Sequence, residues 1–209
     1  HIGGYLAFSF DITEYISNHN ILRVEVSDNT DTFYPYGKQS NKPSGMWYTS
    51  ISGIWKTVWM ETVPTKEEIR SIKIETTIDS IDFYVDTDNE YCISITFDED
   101  TVAYISKSQH LHVDLKNIKY QNWTIKQPVL YTVTIKTNYD TVQTYVGIRE
   151  ISVETINNHK YLCLNKEPIY LNGVLDQGYF SDGIYSPKDT KEYLNDIRRM
   201  KELGFNMLR

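Results

Sequence analysis

The feature that most constrains the fold is the strand–helix–strand pattern of residues 168–209. Pro168–Leu175 is an apolar run that predicts a strand, Ser186–Leu203 has the periodicity of an amphipathic helix, and Phe205–Arg209 begins a second strand. In this order the three segments form a β-α-β unit of a parallel sheet. Such a sheet needs cover on both faces, which one unit cannot supply. We therefore expect the sequence to be a piece of a larger protein.

The predicted helix has signals at both ends. Ser186 can cap it, Pro187 suits the first helical position, Asp189 follows three residues after the cap, and Gly204 is a natural terminator. A lone β-α-β unit should leave apolar side chains exposed, so we expect low stability or self-association. The side chains expected to be exposed are Ile169, Leu171, Leu194 and Ile197.

The middle of the chain reads as strand after strand. Its apolar residues alternate with polar ones in short runs separated by turn clusters, which is typical of a β-sandwich of immunoglobulin-like type. The Cys–Trp–Cys spacing of true immunoglobulin domains is absent, so only the architecture is predicted. The runs are residues 72–76, 81–85, 93–97, 111–115, 131–135 and 142–148.

The first region, residues 1–63, also shows strand-like alternation. Ile21–Val26 and Ile54–Glu61 each alternate apolar and polar residues. Between them, Asp28–Gly45 is rich in Asn, Asp, Ser, Pro and Gly and predicts a long connection. Pro64–Glu68 is polar and begins with proline, so it predicts a short linker to the next domain.

Two polar segments predict tight turns. Asn165–Glu167 lies between Tyr161–Leu164 and Pro168–Leu171 and predicts a hairpin turn. Asp86–Glu90 has the opening acidic spacing of a calcium loop, but Tyr91 stands where that loop needs glycine. A hairpin turn is therefore the favoured interpretation there too.

Composition excludes several classes of function. The formal net charge is −7, and no basic run is longer than Arg198-Arg199, so nucleic acid is not expected as a partner. No apolar stretch approaches the roughly 20 residues of a membrane span. Cys92 and Cys163 lie far apart, which argues against a disulfide framework or a zinc site. No phosphate loop, dinucleotide fingerprint or Gly-x-Ser-x-Gly motif is present, so no cofactor is predicted.

Two weaker signals have ordinary explanations. His110 and His112 share one face of a predicted strand, as two metal ligands could, but the sequence shows no third ligand nearby. We predict no metal site. Asn122-Trp123-Thr124 fits a glycosylation sequon, a short pattern that also arises by chance.

The best candidates for a functional site are Asp176 and Arg209. Each follows a strand of the predicted parallel pair, at the edge where barrel enzymes place their site residues. The alternative is an ordinary loop carboxylate and a surface charge. We predict both as substrate-binding residues, and nothing in the β-rich part nominates a catalytic carboxylate pair.

Five segments of the sequence together match one known protein family, and they are Gly4–Thr13, Gly45–Glu61, Tyr145–Ile151, Leu171–Val174 and Asn206–Arg209. The family that they resemble is glycoside hydrolase family 2, which includes β-galactosidases, β-glucuronidases and β-mannosidases. Gly4–Thr13 and Gly45–Glu61 resemble parts of its sugar-binding domain, and Tyr145–Ile151 resembles the exit from its immunoglobulin-like domain. Leu171–Val174 resembles the first barrel strand, and Asn206–Arg209 matches the family's Asn-x-aliphatic-Arg signature. The resemblance covers essentially the whole chain in the family's order.

This resemblance implies a mostly β fold in three parts. Residues 1–63 would be the C-terminal part of a jelly-roll sugar-binding domain, and residues 64–150 an immunoglobulin-like β-sandwich. Residues 151–209 would be the first β-α-β unit of a (β/α)8 barrel. Family members use two catalytic glutamates on later barrel strands, which would lie beyond Arg209. The acid/base glutamate of the family follows an asparagine, but the Asn89-Glu90 pair of this sequence lies in a predicted turn of the sandwich and cannot be that pair. The resemblance therefore implies that this chain holds no catalytic residue.

The resemblance also suggests a role for Arg209, and the chain departs from the family in two places. Arg209 matches an arginine that points into the barrel near the nucleophile, where a guanidinium would keep that glutamate ionised. Leu175–Gly178 reads Leu-Asp-Gln-Gly where the best-known members read Asn-Arg-His-Glu or close to it. Thr57 stands where some β-galactosidases carry an aspartate. These departures leave the sugar open among galactose, glucuronic acid and mannose.

The leading hypothesis is the N-terminal, non-catalytic part of a retaining glycoside hydrolase. It would act on β-linked sugars, in a β-galactosidase-like role in carbohydrate metabolism, with an oligosaccharide as the substrate of the full-length parent. We expect the chain alone to be inactive. Homo-oligomer formation stays open, and so does the cellular location, with the cytoplasm slightly favoured over secretion. The alternative is a carbohydrate-binding module in which Trp47–Trp59 contacts sugar directly, although tryptophans such as Trp55 and Trp59 more often pack a core.

Overall fold

The computed structural model describes residues 1–29, 33, 37–98 and 100–209. Two segments therefore lie partly outside the described residues, namely the predicted connection Asp28–Gly45 and the polar cluster Asp98-Glu99-Asp100, which the sequence predicts as one of the turns between strands. None of the helices in the described residues is long and apolar enough to cross a membrane. The chain forms two compact units, which are His1–Met60 with Gln177–Ile197, and Glu61–Asp176 with Arg198–Arg209.

Regular structure is sparse in the described part of residues 1–60. A 3-10 helix spans Thr13–Tyr15, and strands β1 (Gln39–Ser40) and β2 (Tyr48–Thr49) pair in parallel. The prediction of strands at Ile21–Val26 and Ile54–Glu61 is wrong, because both segments are irregular and exposed. A strand needs a neighbour for its backbone hydrogen bonds, and no described residue pairs with these segments. The jelly-roll assignment stays a prediction.

Seven strands of the second unit form two antiparallel sheets with orders β3-β4-β7 and β6-β5-β8-β9. Each of the six predicted runs overlaps one of these strands, although the runs 111–115 and 142–148 extend past the ends of theirs, and the sequence missed β6. The mostly β prediction is confirmed, and the immunoglobulin-like classification stays a prediction. The strands are β3 Ser71–Thr76, β4 Ser80–Asp86, β5 Tyr91–Phe97, β6 Asp100–Ser106, β7 His110–Asp114, β8 Tyr131–Lys136 and β9 Thr141–Val146.

The core of these seven strands lies between the two sheets. Alternate residues of β4, β5 and β8 point inward and are fully buried, as the alternation in their sequences predicts. Burying one such side chain is worth about 1.5–3 kcal/mol. Two tyrosine hydroxyls bind the loops between the strands. The Tyr91 hydroxyl donates to the Ser108 carbonyl (2.6 Å), and the Tyr120 hydroxyl donates to the Ile78 carbonyl (2.6 Å).

The acidic segment Asp86–Glu90 crosses between the sheets. The hairpin prediction there is wrong, because β4 pairs with β3 and β7 whereas β5 pairs with β6 and β8. Arg70 binds both acids of this crossing, with its guanidinium 2.6 Å from Asp86 Oδ1 and 2.9 Å from Asp88 Oδ2. These hydrogen bonds lower the pKa of both carboxyl groups. A guanidinium thus occupies the two carboxylates that resembled a calcium loop.

A three-stranded antiparallel sheet follows the sandwich. Its strands are β10 (Ile151–Ile156), β11 (His159–Leu164) and β12 (Glu167–Pro168). The hairpin predicted at Asn165–Glu167 is confirmed, although Glu167 already belongs to β12. The turn residues Asn165 and Lys166 have φ of +53° and +68°, as a type I′ turn requires.

The last elements are β13 (Gly173–Val174), α1 (Lys191–Glu202) and β14 (Met207–Leu208), with β13 and β14 parallel. The strand–helix–strand order is as predicted, but only part of Pro168–Leu175 has strand structure. Leu171, Leu194 and Ile197 are exposed as predicted, and Ile169 is half-buried. The assignment of this segment to a (β/α)8 barrel stays a prediction.

Helix α1 begins later than its sequence suggests. Ser186 lies in a turn where its N–H donates to the Gly183 carbonyl (3.3 Å), so it does not cap the helix. Asp189 Oδ1 instead accepts the Lys191 N–H (2.9 Å). The helix end is as predicted. Gly204 has φ of +88°, and the Phe205 N–H reaches the Met200 carbonyl (3.0 Å), which is the Schellman pattern.

Candidate functional site

The parallel pair β13–β14 brings the two predicted site positions to one edge. The Arg209 N–H donates to the Val174 carbonyl (3.0 Å), and the Asp176 N–H donates to the Arg209 carbonyl (2.9 Å). Both residues therefore follow the carboxyl ends of neighbouring strands, as predicted from their positions. A substrate-binding role for either residue stays a prediction.

Two asparagines hold the opposite ends of these strands. Asn206 Oδ1 accepts the Asn172 N–H (2.8 Å), and Asn206 Nδ2 donates to the Tyr170 carbonyl (2.8 Å). Asn172 Nδ2 in turn donates to the Gly204 carbonyl (3.1 Å). The sequence prediction assigned no role to Asn172. The sequence signal for this role is an asparagine immediately before each short parallel strand. At that position a side-chain amide can replace missing backbone hydrogen-bond partners.

An aromatic cluster lies in the first unit, formed by Tyr48, Trp55, Tyr179 and Tyr185. The rings of Tyr48 and Tyr179 stack with centroids 4.6 Å apart, and Trp55 meets Tyr185 edge-on at 4.9 Å. The Tyr48 hydroxyl also donates to Gln177 Oε1. Burial raises the pKa of Tyr179. The cluster thus places aromatic rings next to a phenol hydroxyl and a side-chain amide.

The tryptophans of the predicted sugar-contact segment are on the surface. Trp55 and Trp59 are 45% and 68% exposed, so the expectation that they pack a core is wrong. Lys56 Nζ lies 4.7 Å from the centroid of the Trp55 ring. Of these two tryptophans, Trp55 belongs to the aromatic cluster through its edge-on contact with Tyr185.

His110 and His112 have the carboxylate neighbour that the sequence did not reveal. Asp82 Oδ1 lies 2.7 Å from His110 Nε2 and 2.9 Å from His112 Nδ1, because β4 and β7 pair in register. The hydrogen bonds from the two imidazoles lower the pKa of Asp82 against the opposing effect of burial. No three His, Cys, Asp or Glu side chains of the described residues are arranged as metal ligands.

The sequon at Asn122 does not lie on an open loop. Asn122 is half-buried, and its Oδ1 is enclosed without a hydrogen-bond partner. Its neighbour Trp123 packs under Arg149, whose guanidinium lies 4.6 Å from the ring centroid. Trp123 and Arg149 line a groove of about 450 Å³ together with Tyr145, Leu130 and Thr76.

The order of these elements along the chain defines the class of protein that it resembles. A β-sandwich is followed by a β-hairpin sheet and then by a parallel strand pair with polar residues at its carboxyl edge. The chain is similar in this architecture and in sequence to glycoside hydrolases. No family model matches the chain.

The particular proteins that it resembles are β-glucuronidases. It is 25% identical to a putative β-glucuronidase of Formosa agariphila over an alignment 231 positions long, which covers 100% of this chain and 27% of that protein. The β-D-glucuronidase structure for Dictyoglomus thermophilum is 23% identical with a TM-score of 0.54, covering 68% of this chain and 25% of that one. The Ruminococcus gnavus β-glucuronidase is 20% identical with a TM-score of 0.55, covering 69% and 24%. The chain therefore spans about a quarter of the length of the proteins that it matches.

Proposed function

We propose that this chain is the N-terminal portion of a retaining β-glycoside hydrolase of family 2. The observation that carries the proposal is the similarity to a putative β-glucuronidase over the full 209 residues. The parallel strand pair ending at Asp176 and Arg209 supports it, since barrel enzymes use this edge for their chemistry. Because these relatives are named for glucuronides, a β-glucuronide is the first substrate to test, ahead of a galactoside or mannoside.

In this proposal Arg209 and Asp176 contribute charge at the edge of the active site. The backbone of Arg209 is hydrogen-bonded to β13 and to Asp176, so its side chain extends from a fixed backbone position. A fixed positive charge would keep a neighbouring carboxylate ionised and oriented. The Asp176 carboxylate would accept hydrogen bonds from sugar hydroxyls. The catalytic glutamates would come from other parts of the full-length protein.

Nitrophenyl β-glycosides test this function. We expect the full-length protein to turn over at least one of the glucuronide, galactoside and mannoside, and the 209-residue chain to turn over none. In the full-length protein, Arg209→Ala should lower kcat by roughly 100-fold, the scale of losing one fixed charge-stabilising group. Arg198→Ala is the matched control, because Arg198 is exposed on α1. Turnover by the 209-residue chain alone, or equal activity of the two variants, would overturn the proposal.

A second candidate function is carbohydrate binding by the aromatic cluster of the first unit. Sugar rings present C–H faces that pack on aromatic side chains, and their hydroxyls need polar partners such as Gln177 and Tyr48. Calorimetric titration of the chain with β-linked oligosaccharides tests this role. We expect Tyr179→Ala to weaken binding at least tenfold and Tyr139→Ala, at an exposed sandwich turn, to leave it unchanged. Binding that is insensitive to Tyr179 would reject the cluster as the site.

A further inference from the structure

The four outer strands of the sandwich differ in how they are protected from pairing with another chain. In the three-stranded sheet, β3 carries Lys73 and Glu75, and β7 carries His110, His112 and Asp114. Charges of this kind on an edge strand oppose intermolecular pairing. In the four-stranded sheet, β6 has no charged residue or proline after Asp100, and β9 has none at all. The two edges of that sheet therefore lack the usual protection.

Strand β9 is partly covered within its own chain. The Trp123 N–H donates to the Ile148 carbonyl (2.8 Å) just beyond the end of β9. The Trp123 side chain also packs against Gly147, where an added Cβ would lie 3.0 Å from Trp123 Cδ1. Strand β6 has no such cover from the described residues. Its solvent-facing side chains Thr101, Ala103 and Ile105 are exposed, Ile105 to 71%.

The hydrogen-bonding groups of β6 that point outward follow from the ladder. The Thr137 N–H donates to the Asp140 carbonyl (2.9 Å), which closes the β8–β9 turn and makes the odd residues of β8 bond to β9. Even residues of β8 then bond to β5, and alternation across β5 leaves the even residues of β6 bonded to it. Thr101, Ala103 and Ile105 therefore direct their N–H and C=O groups away from the sheet.

We propose that β6 is a self-association edge, on which a second copy of this chain pairs antiparallel around a two-fold axis at Ala103. This register pairs all seven residues of β6 and keeps core-facing side chains on the core side of both sheets. It places Val102 beside Tyr104 of the second copy, and Thr101 beside Ile105. Aromatic–β-branched and β-branched pairs of this kind favour strand pairing. The result is a continuous eight-stranded sheet, and the same patch serves both copies, as a two-fold interface requires.

Cysteine cross-linking of the full chain tests the register. In the proposed dimer Ala103 faces its own symmetry mate as a hydrogen-bonded pair, with Cα atoms about 5.5 Å apart. That separation is within the range of a disulfide. Thr101 faces Ile105 of the second copy, so the two Thr101 Cα atoms are offset by four residues along the strands and lie about 14 Å apart. We expect Ala103→Cys to form a disulfide-linked dimer under mild oxidation and Thr101→Cys not to do so.

Three further variants complete the test. Gln143→Cys places the same thiol on the exposed face of β9, and the native Cys92 and Cys163 are common to all variants. Equal cross-linking of Ala103→Cys, Thr101→Cys and Gln143→Cys would overturn the proposal, as would faster cross-linking at Gln143. In a chain with no introduced cysteine, Ala103→Lys should raise the dimer dissociation constant in sedimentation equilibrium at least tenfold, because two like charges meet at the axis. Gln143→Lys should leave that constant unchanged, and an equal effect of both lysines would also overturn the proposal.

Discussion

The sandwich and residues 1–60 contain similar apolar side chains, but only the sandwich buries them. Residues 91–97 and 21–26 both alternate apolar and polar side chains. In β5, Ile93 and Ile95 are fully buried between two sheets, whereas Val24 and Val26 are exposed in an irregular segment. The difference is the presence of neighbouring strands. Alternation specifies which face of a strand can be buried, and a partner supplies the hydrogen bonds and the cover.

The largest expected effect tests this difference directly with one substitution in each region. Phe83 is fully buried and Phe10 is 68% exposed. Phe83→Ala should lower the free energy of unfolding of the chain by about 3–5 kcal/mol, since it removes a buried ring and leaves a cavity. Phe10→Ala, the same chemical change, should cost under about 0.5 kcal/mol. Urea unfolding followed by fluorescence measures both, and equal losses would mean that residues 1–60 contain a core of their own.

The second prediction concerns the joint between the sandwich and the sheet that follows it. Asn165 Nδ2 donates to the Trp123 carbonyl (3.0 Å), and its Oδ1 accepts the Glu150 N–H (3.0 Å), at a φ of +53°. Asn165→Ala should cost about 2 kcal/mol, because it loses both hydrogen bonds and strains the turn.

Two variants separate these contributions to the cost of Asn165→Ala. Asn165→Gly relieves the strain and loses only the hydrogen bonds, so it should cost less. Asn157→Ala tests the same left-handed conformation, with φ of +51°, in the turn between β10 and β11. It should cost about 1 kcal/mol. Thermal unfolding gives all three values. If Asn165→Ala costs no more than Asn157→Ala, the side-chain bridge contributes nothing.

The third prediction concerns the carboxylate shared by two histidines. Hydrogen bonds from His112 and His110 lower the pKa of Asp82 in the folded state. Its stabilisation is therefore fully present above the unfolded-state pKa of about 3.9 and is lost as the pH falls through the lower folded value. Asp82→Asn should cost about 1 kcal/mol at pH 7, a value reduced for partial exposure, and the difference from the wild type should shrink below about pH 4.

Glu75→Gln is the matched control for Asp82→Asn. Glu75 lies directly opposite Asp82 on β3 and pairs with Lys73 (2.7 Å) on the exposed surface. An exposed pair contributes little to stability, so this variant should change unfolding only slightly at any pH. Chemical denaturation between pH 3 and pH 7 compares the two. A loss in Asp82→Asn that stays constant down to pH 3 would contradict the role of the ionised carboxylate.

The sequence predicted most where a local pattern and its partner are close along the chain. The sandwich strands, the hairpin at Asn165 and the end of α1 at Gly204 were all readable from short segments. Strand β6 was missed because its exposed alternate positions include Ala103 and Ile105, which weaken the alternation of an edge strand. The Asp82 carboxylate between two histidines was missed because residues 82 and 112 meet only through strand register.

Of the candidate functional sites, the sequence predicted the one that depends on local order and missed the one that depends on distant contacts. The position of the first site, at the edge of β13 and β14, follows from the order strand, helix, strand, and the sequence predicted it. The aromatic cluster depends on contacts between Tyr48 and Tyr179, which lie far apart along the chain and have no shared pattern. Trp55 and Trp59 are likewise exposed because no strand of the described residues pairs with their segment, and a sequence pattern does not show whether such a partner is present.

The smallest expected effect concerns the start of α1, where sequence and structure choose different caps. Asp189 Oδ1 accepts the Lys191 N–H (2.9 Å), whereas Ser186 lies before the helix in a turn closed by Gly183. Asp189→Ala should therefore lower the local stability of the first helical turn by about 1 kcal/mol. Ser186→Ala should leave it unchanged. Amide exchange of residues 191–194 measures this directly, at about a fivefold acceleration for 1 kcal/mol. Acceleration in Ser186→Ala but not in Asp189→Ala would place the cap where the sequence alone suggested it.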